Sequence, residues 1–140
     1  MYSANLDDNR VTVQCNILND HRLKFIDAIY DTGARYTCFQ AYLLDSNLLE
    51  DGFSDYESKL LSGFVGNDAS RFYRFPIERF AFGNIDIGKQ DIWITFDERV
   101  TSNVVGYDII KQITRASIAG SDRECFFMNV SELKDYISKL

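Results

Sequence analysis

Among the residues able to do chemistry, Asp31 stands out for its setting. Asp31-Thr32-Gly33-Ala34 follows an apolar-rich run, Phe25 to Tyr30, and precedes another, Tyr36 to Phe39. This layout predicts a tight loop between two strands, with a carboxylate at its start and a glycine free to take conformations closed to other residues. A carboxylate so placed has two uses. It can serve local structure alone, accepting backbone hydrogen bonds in an Asx-type turn. It can also act as a general acid or base. The quartet occurs once in 140 residues.

Other chemistries find little support. The single histidine, His21, falls in the turn signal Asn19-Asp20-His21 and reads as a surface residue. Cys15, Cys38 and Cys125 are odd in number, far apart and without CxxC spacing. They read as small buried apolar residues and as reduced thiols of an intracellular, cytoplasmic protein. No cofactor and no metal is implied. The net charge is −6, and without a basic stripe nucleic acid is not an expected partner. The acids between Asp45 and Glu57 read as a solvated loop. Met1 to Arg10 lacks the apolar centre of a signal peptide. No stretch approaches the roughly 20 apolar residues that span a bilayer, so no membrane partner is expected.

The elements that must position Asp31 read as mostly β. The chain is 46% hydrophobic, with 11 Phe, 8 Tyr and one proline, enough for one packed domain rich in strand formers. Val11, Val13, Cys15 and Ile17 alternate with polar residues, the period of a half-buried strand. Leu23 to Tyr30 returns as its hairpin partner. Gln40 to Leu49 suits a short helical turn, and Lys59 to Val65 a strand. Arg71 to Phe82 reads as a long extended run, in which Pro76 implies an edge or a bulge. Gly83-Asn84 reads as a turn, Asp91 to Phe96 as a strong strand and Val104-Val105 as a short one. Tyr107 to Ile113 suits a helix of about two turns. Thr114 to Ala119 and Glu124 to Val130 flank Gly120-Ser121-Asp122 as a hairpin. Ser131 caps a final helix whose Leu133, Tyr136, Ile137 and Leu140 form one apolar stripe.

Three segments in order then carry a resemblance. Ile29-Tyr30-Asp31-Thr32-Gly33-Ala34, a glycine-bearing hairpin candidate from Gly63 to Tyr73, and Val104-Val105-Gly106-Tyr107-Asp108-Ile109-Ile110 together resemble the retropepsin-like aspartic proteases. The likeness covers residues 11 to about 130, leaving the helix 131–140 outside it. It implies an all-β, closed barrel-like fold with short helices, one domain per chain, acting as a homodimer on a peptide or protein substrate. Two positions depart from the family pattern, Arg35 and Tyr107. They leave the family's structural ion pair open between two arrangements, Arg35 facing Asp108 or Arg35 pointing to solvent.

The resemblance also implies a mechanism. Two Asp31 carboxylates, one per subunit, meet at the two-fold axis and share a proton, because like charges so close cannot both ionise cheaply. The ionised one activates a water and the protonated one donates to the scissile carbonyl. Thr32 locks the two loops across the axis, Gly33 gives close approach and an N–H for the carboxylate, and Ala34 completes the loop. Gly63, Phe64, Val65, Gly66 and Asn67 form a flap that bends over an extended peptide, while Val105, Gly106 and Asp108 supply the second motif. Phe64, Val65, Phe72, Tyr73, Trp93 and Val105 are candidates for lining side-chain pockets, although each also reads as core. The C-terminal stripe packs on its own domain or on the partner, with its own domain slightly favoured. Competing readings are a non-catalytic peptide-binding or scaffold domain of the same fold and an unrelated ligand-binding β-barrel.

Overall fold

The computed structural model describes residues 2–7, 10–82, 85–116, 124–128 and 130–140. Its strands are β1 (Tyr2–Asp7), β2 (Arg10–Asn19), β3 (Arg22–Tyr30), β4 (Cys38–Gln40), β5 (Ser58–Val65), β6 (Asp68–Ile77), β7 (Arg79–Phe82), β8 (Ile85–Asp86), β9 (Gln90–Thr95), β10 (Val104–Val105), β11 (Thr114–Ala116) and β12 (Glu124–Met128). Three short helices, α1 (Ala41–Leu44), α2 (Tyr107–Ile110) and α3 (Val130–Ser138), and one 3-10 turn, Glu50–Phe53, complete it. The mostly-β architecture with short helices matches the expectation. No helix among the described residues is long and apolar enough to cross a membrane.

Local sequence explains the first hairpin. Val11, Val13, Cys15 and Ile17 are all buried, as alternation requires. The β2–β3 turn places Asp20 and His21 at φ 50° and 60°, left-handed values suited to a two-residue hairpin loop. The strands run in the order β11-β12-β1-β2-β3-β10-β4-β9-β6-β5. One edge of β2 is shared: Arg10 to Thr12 pair with β1, whereas Cys15 to Leu18 pair with β7. The sheet forks there. Its end strands, β11 and β5, do not pair with each other, so the closure expected of a barrel is not seen among the described residues.

Pro76 fits the edge expectation. Arg74 N–H points to the β5 side, donating to Glu57 O (2.8 Å), and position 76 faces the same way. The β5 pairing has ended by then, since Ser58 pairs with Tyr73, so the missing proline donor deprives no ladder there. The extended run nevertheless breaks at Glu78, between β6 and β7.

Several boundaries differ from expectation. Helix α2 makes one turn rather than two, and α3 starts at Val130, which puts Ser131 in its first turn. The acidic stretch is not wholly solvated. Phe53 is buried and packs on Tyr56, Tyr73, Phe75 and Phe96 at centroid distances of 4.5–5.7 Å, because one aromatic among acids still gains by leaving water. On α3, Leu133 and Tyr136 are half-buried while Ile137 and Leu140 stay exposed. Its own chain therefore covers the stripe only in part. The turn signals Gly83-Asn84 and Gly120-Ser121-Asp122 lie outside the described residues.

Two apolar clusters result. The larger joins β2, β3, β4, β6, β7 and β9 through Ile17, Ile26, Phe39, Phe75, Phe80 and Ile94. The smaller, Cys38, Phe72, Trp93 and Val100 with Tyr36, Leu61, Phe64 and Val65, lies under the β5–β6 hairpin. Buried Cys15 and Cys38 are free thiols, and burial pushes both thiols above their ordinary range.

A polar clamp ties the hairpin to the loop after β9. Asp97 accepts from Arg99 Nε (3.1 Å) and Nη2 (2.9 Å), from Ser70 Oγ (2.8 Å) and from Arg99 N–H (3.0 Å). Arg99 Nη1 reaches Asp68 beside the hairpin turn at 3.0 Å. The Arg99 guanidinium first, then the Ser70 hydroxyl and the Arg99 amide, hold the Asp97 carboxyl below the usual carboxylate range. A depressed carboxyl stabilises the fold above its unfolded pKa of about 4 and loses that contribution as pH falls through its folded value. Urea midpoints of wild type and Asp97→Asn should therefore differ most near neutral pH. The gap should shrink as pH drops below about 4; a gap constant with pH would show that the Asp97 charge does not matter.

Candidate functional site

Asp31 sits where β3 ends, and the strand that fixes it comes from far along the chain. Strand β10 inserts between β3 and β4, parallel to β3 (Val104 opposite Ile29, Val105 opposite Tyr30) and antiparallel to β4 (Val104 opposite Cys38). Asn103 O accepts from Ile29 N–H (2.8 Å), Val105 O from Asp31 N–H (3.0 Å), and Ala34 O from Tyr107 N–H (2.7 Å). The segment 103–107 thus straps both sides of the loop carrying Asp31.

The strap is itself locked from beneath. Buried Thr37 donates its hydroxyl to Asp108 Oδ1 (2.7 Å) and its N–H to Asp108 Oδ2 (3.1 Å), while its hydroxyl oxygen accepts from Gly106 N–H (2.9 Å). Gly106 lies so close to the loop that an added Cβ would stand 2.4 Å from Tyr36 O. On the far side, Gln40 Nε2 donates to Asp97 O and Val100 O, and Gln40 N–H to Asn103 Oδ1. The path from β9 into β10 is pinned as well.

Asp31, Thr32 and Gly33 are exposed and Ala34 is half-buried. Gly33 N–H donates to Asp31 Oδ1 at 2.8 Å, and Ala34 N–H to Asp31 O at 3.2 Å. That is the Asx turn expected of this loop, and it leaves Asp31 Oδ2 without a hydrogen-bond partner among the described residues. Gly33 also suits the crowding here, since a Cβ would meet Asp31 Oδ1 at 3.2 Å.

Asp31 forms part of the wall of a cleft of about 860 Å³, with Gly33, Ala34 and Arg35 on one side and Leu60, Leu61, Ser62, Gly63 and Phe64 of β5 on the other. The β5–β6 register shifts between Leu61 and Val65, and Gly63 takes φ 97°. This irregularity falls in the part of β5 that lines the cleft, a placement common to bulges beside functional sites. Of the hairpin residues expected to cover the site, Gly63 and Phe64 line the cleft. Val65 packs into the smaller cluster, and Gly66 (φ 47°) and Asn67 make the turn away from the cleft lining.

Among the other expected site residues, Val105 is wholly buried and holds the loop rather than facing the cleft; Val104 lines it. Phe72, Tyr73 and Trp93 are core. Asp108 is committed to Thr37, and among the described residues it makes no ion pair with Arg35, which is exposed. Of the two arrangements left open for Arg35, the one facing Asp108 is not observed: Arg35 is exposed, with its guanidinium beside the Tyr36 ring.

Residue spacing did not single out Lys59, Tyr36 or Gln40. Lys59 Nζ donates to Tyr36 Oη (2.9 Å) and lies 4.8 Å from the Tyr36 ring centroid and 5.3 Å from that of Trp93. Tyr36 and Trp93 themselves pack at 5.4 Å. These contacts join β5 to the segment that follows Asp31. Their only sequence signal was a lysine opening an otherwise apolar strand.

No family model matches the chain, and no curated protein matches it.

Proposed function

We propose that the chain is one subunit of a homodimeric aspartic endopeptidase of retropepsin-like fold, acting in the cytoplasm on peptide or protein substrates. The observation that carries this reading is the exposed Asp31 carboxylate. It is oriented by Gly33 N–H at the wall of an open cleft and fixed by a strap inserted between the two strands that bound its loop. An ordinary surface turn needs no such strap. A cleft lined by a strand of the β5–β6 hairpin suits an extended peptide. The peptide adds as a strand, using main-chain bonds for affinity and side-chain pockets for choice.

Asp31 is chemically half of what hydrolysis needs. The second carboxylate comes from the same loop of a partner across a two-fold axis, with Thr32, exposed beside it, bonding the two loops. One carboxylate takes a proton from water as that water forms its bond to the scissile carbonyl carbon. The other donates its proton to the carbonyl oxygen. Collapse of the tetrahedral carbon breaks the C–N bond, and the departing amine takes a proton from the pair.

The test is incubation of wild type and Asp31→Asn with a peptide library at several pH values, with products identified by mass spectrometry. Cleavage by wild type alone supports the reading. Cleavage by both, or by neither, overturns it.

A further inference from the structure

Arg35 is an unusual residue for its surroundings. The chain holds 21 acidic against 15 basic residues, yet this guanidinium has no carboxylate partner among the described residues. Asp108, the acid nearest in the motif logic, has both oxygens occupied by Thr37. Arg35 is exposed and lines the same cleft as Asp31; in that lining it is the only Lys or Arg and Asp31 the only Asp or Glu. The head group is not left to wander. Its carbon lies 5.6 Å from the Tyr36 ring centroid, and Tyr36 is held from its other contacts by Lys59 and Trp93. Two cations, Arg35 and Lys59, therefore lie within reach of the Tyr36 ring, and among the described residues neither makes a salt bridge.

We propose that Arg35 selects peptides carrying an acidic side chain beside the bond to be cut. This rests on the endopeptidase reading, and it names the substrate class of that site. A guanidinium presents paired N–H donors matched to a carboxylate and is more weakly hydrated than an ammonium. Glutamate or aspartate in the bound strand therefore finds a charge-assisted, bidentate partner, whereas glutamine finds a weaker one and lysine meets repulsion. The proposed homodimer contributes one Arg35 from each subunit to the joined cleft. The preference accordingly appears on both sides of the scissile bond, at matching distances from it.

The experiment uses peptides with Glu, Gln or Lys at each position around a common apolar centre. Cleavage rates are measured for wild type and Arg35→Glu, and binding of fluorescein-labelled Glu and Gln versions to each protein is followed by anisotropy. Wild type is expected to favour Glu over Gln by about tenfold at symmetric positions, less at high salt. Arg35→Glu is expected to turn the preference toward Lys. Cleavage with the same Glu-to-Gln ratio in both proteins overturns the role of Arg35 and leaves the endopeptidase reading standing. Should wild type cleave nothing, that reading falls, and the binding arm decides the charge selection by itself. Tighter binding of the Glu peptide that Arg35→Glu abolishes upholds it, and equal binding of Glu and Gln peptides overturns it.

Discussion

Asp31→Asn is expected to fold, to associate as wild type does, and to lose peptide cleavage by a factor on the order of 10⁴ or more. The stability side of this expectation follows from exposure. Asn keeps a side-chain oxygen that can accept from Gly33 N–H, and the site is open to water, so the change in unfolding free energy should stay within about 0.5 kcal/mol. The chemical side follows from what an amide cannot do. It neither takes a proton from water nor gives one to a carbonyl, and in the proposed homodimer both members of the pair would be replaced together. A mixing experiment adds the shared-site requirement. When wild type is allowed to exchange with about a fourfold excess of Asp31→Asn, activity per wild-type subunit should fall to roughly one fifth, because random pairing leaves that fraction with a wild-type partner. Undiminished activity in the mixture would mean that each chain works alone, contrary to a site built from two copies of one loop.

Gly106→Ala has the largest expected effect on the fold itself. Its φ of −97° is open to any residue, so the argument is purely steric. The new Cβ would sit 2.4 Å from Tyr36 O, 2.5 Å from Tyr36 C and 2.9 Å from Tyr36 N, all of them backbone atoms that cannot swing aside. The strap or the loop must move, and either movement strains the bonds from Gly106 N–H to Thr37 and from Tyr107 N–H to Ala34. Overpacking and disturbed buried hydrogen bonds together should cost about 2–4 kcal/mol in urea unfolding. Whatever remains folded should cleave on the order of 100-fold more slowly, since a displacement of about 1 Å at a catalytic group is enough for that loss. Gly52→Ala is the matched control: beyond its chain neighbours and its own helical turn, no atom lies within 4 Å of its added Cβ, and it should be nearly neutral. Equal stability of the two variants would refute the tight contact between strap and loop.

The two variants separate what Asp31 does from what holds it, and they also separate what was legible early from what was not. The alternation of Val11 to Ile17, the turn at Asn19-Asp20 and the placement of Asp31-Thr32-Gly33 at the end of a strand are local facts. Periodicity and turn chemistry encode them directly, and the structure reproduces each. The Asx turn was legible for the same reason, because Asp31 and Gly33 are two residues apart. The hairpin's glycines were visible too. Which part of the hairpin faces Asp31 was not, because the irregular register between Leu61 and Val65 depends on how β6 pairs.

The sequence by itself determined the strand pattern and the loop chemistry around Asp31. The tertiary structure alone decided that β10 enters between β3 and β4, that Gly106 must lack a side chain to do so, and that Thr37 occupies Asp108. That occupation leaves Arg35 at the cleft without an acid partner among the described residues. The division has a physical basis. Local periodicity fixes which face a residue shows and where the chain bends, but a parallel pairing between residues 29–30 and 104–105 is decided by contacts distant in sequence. The fate of each polar group near that pairing depends on which donors the fold places within hydrogen-bond reach. For Asp108 they include Thr37, whose backbone and hydroxyl satisfy both oxygens at once.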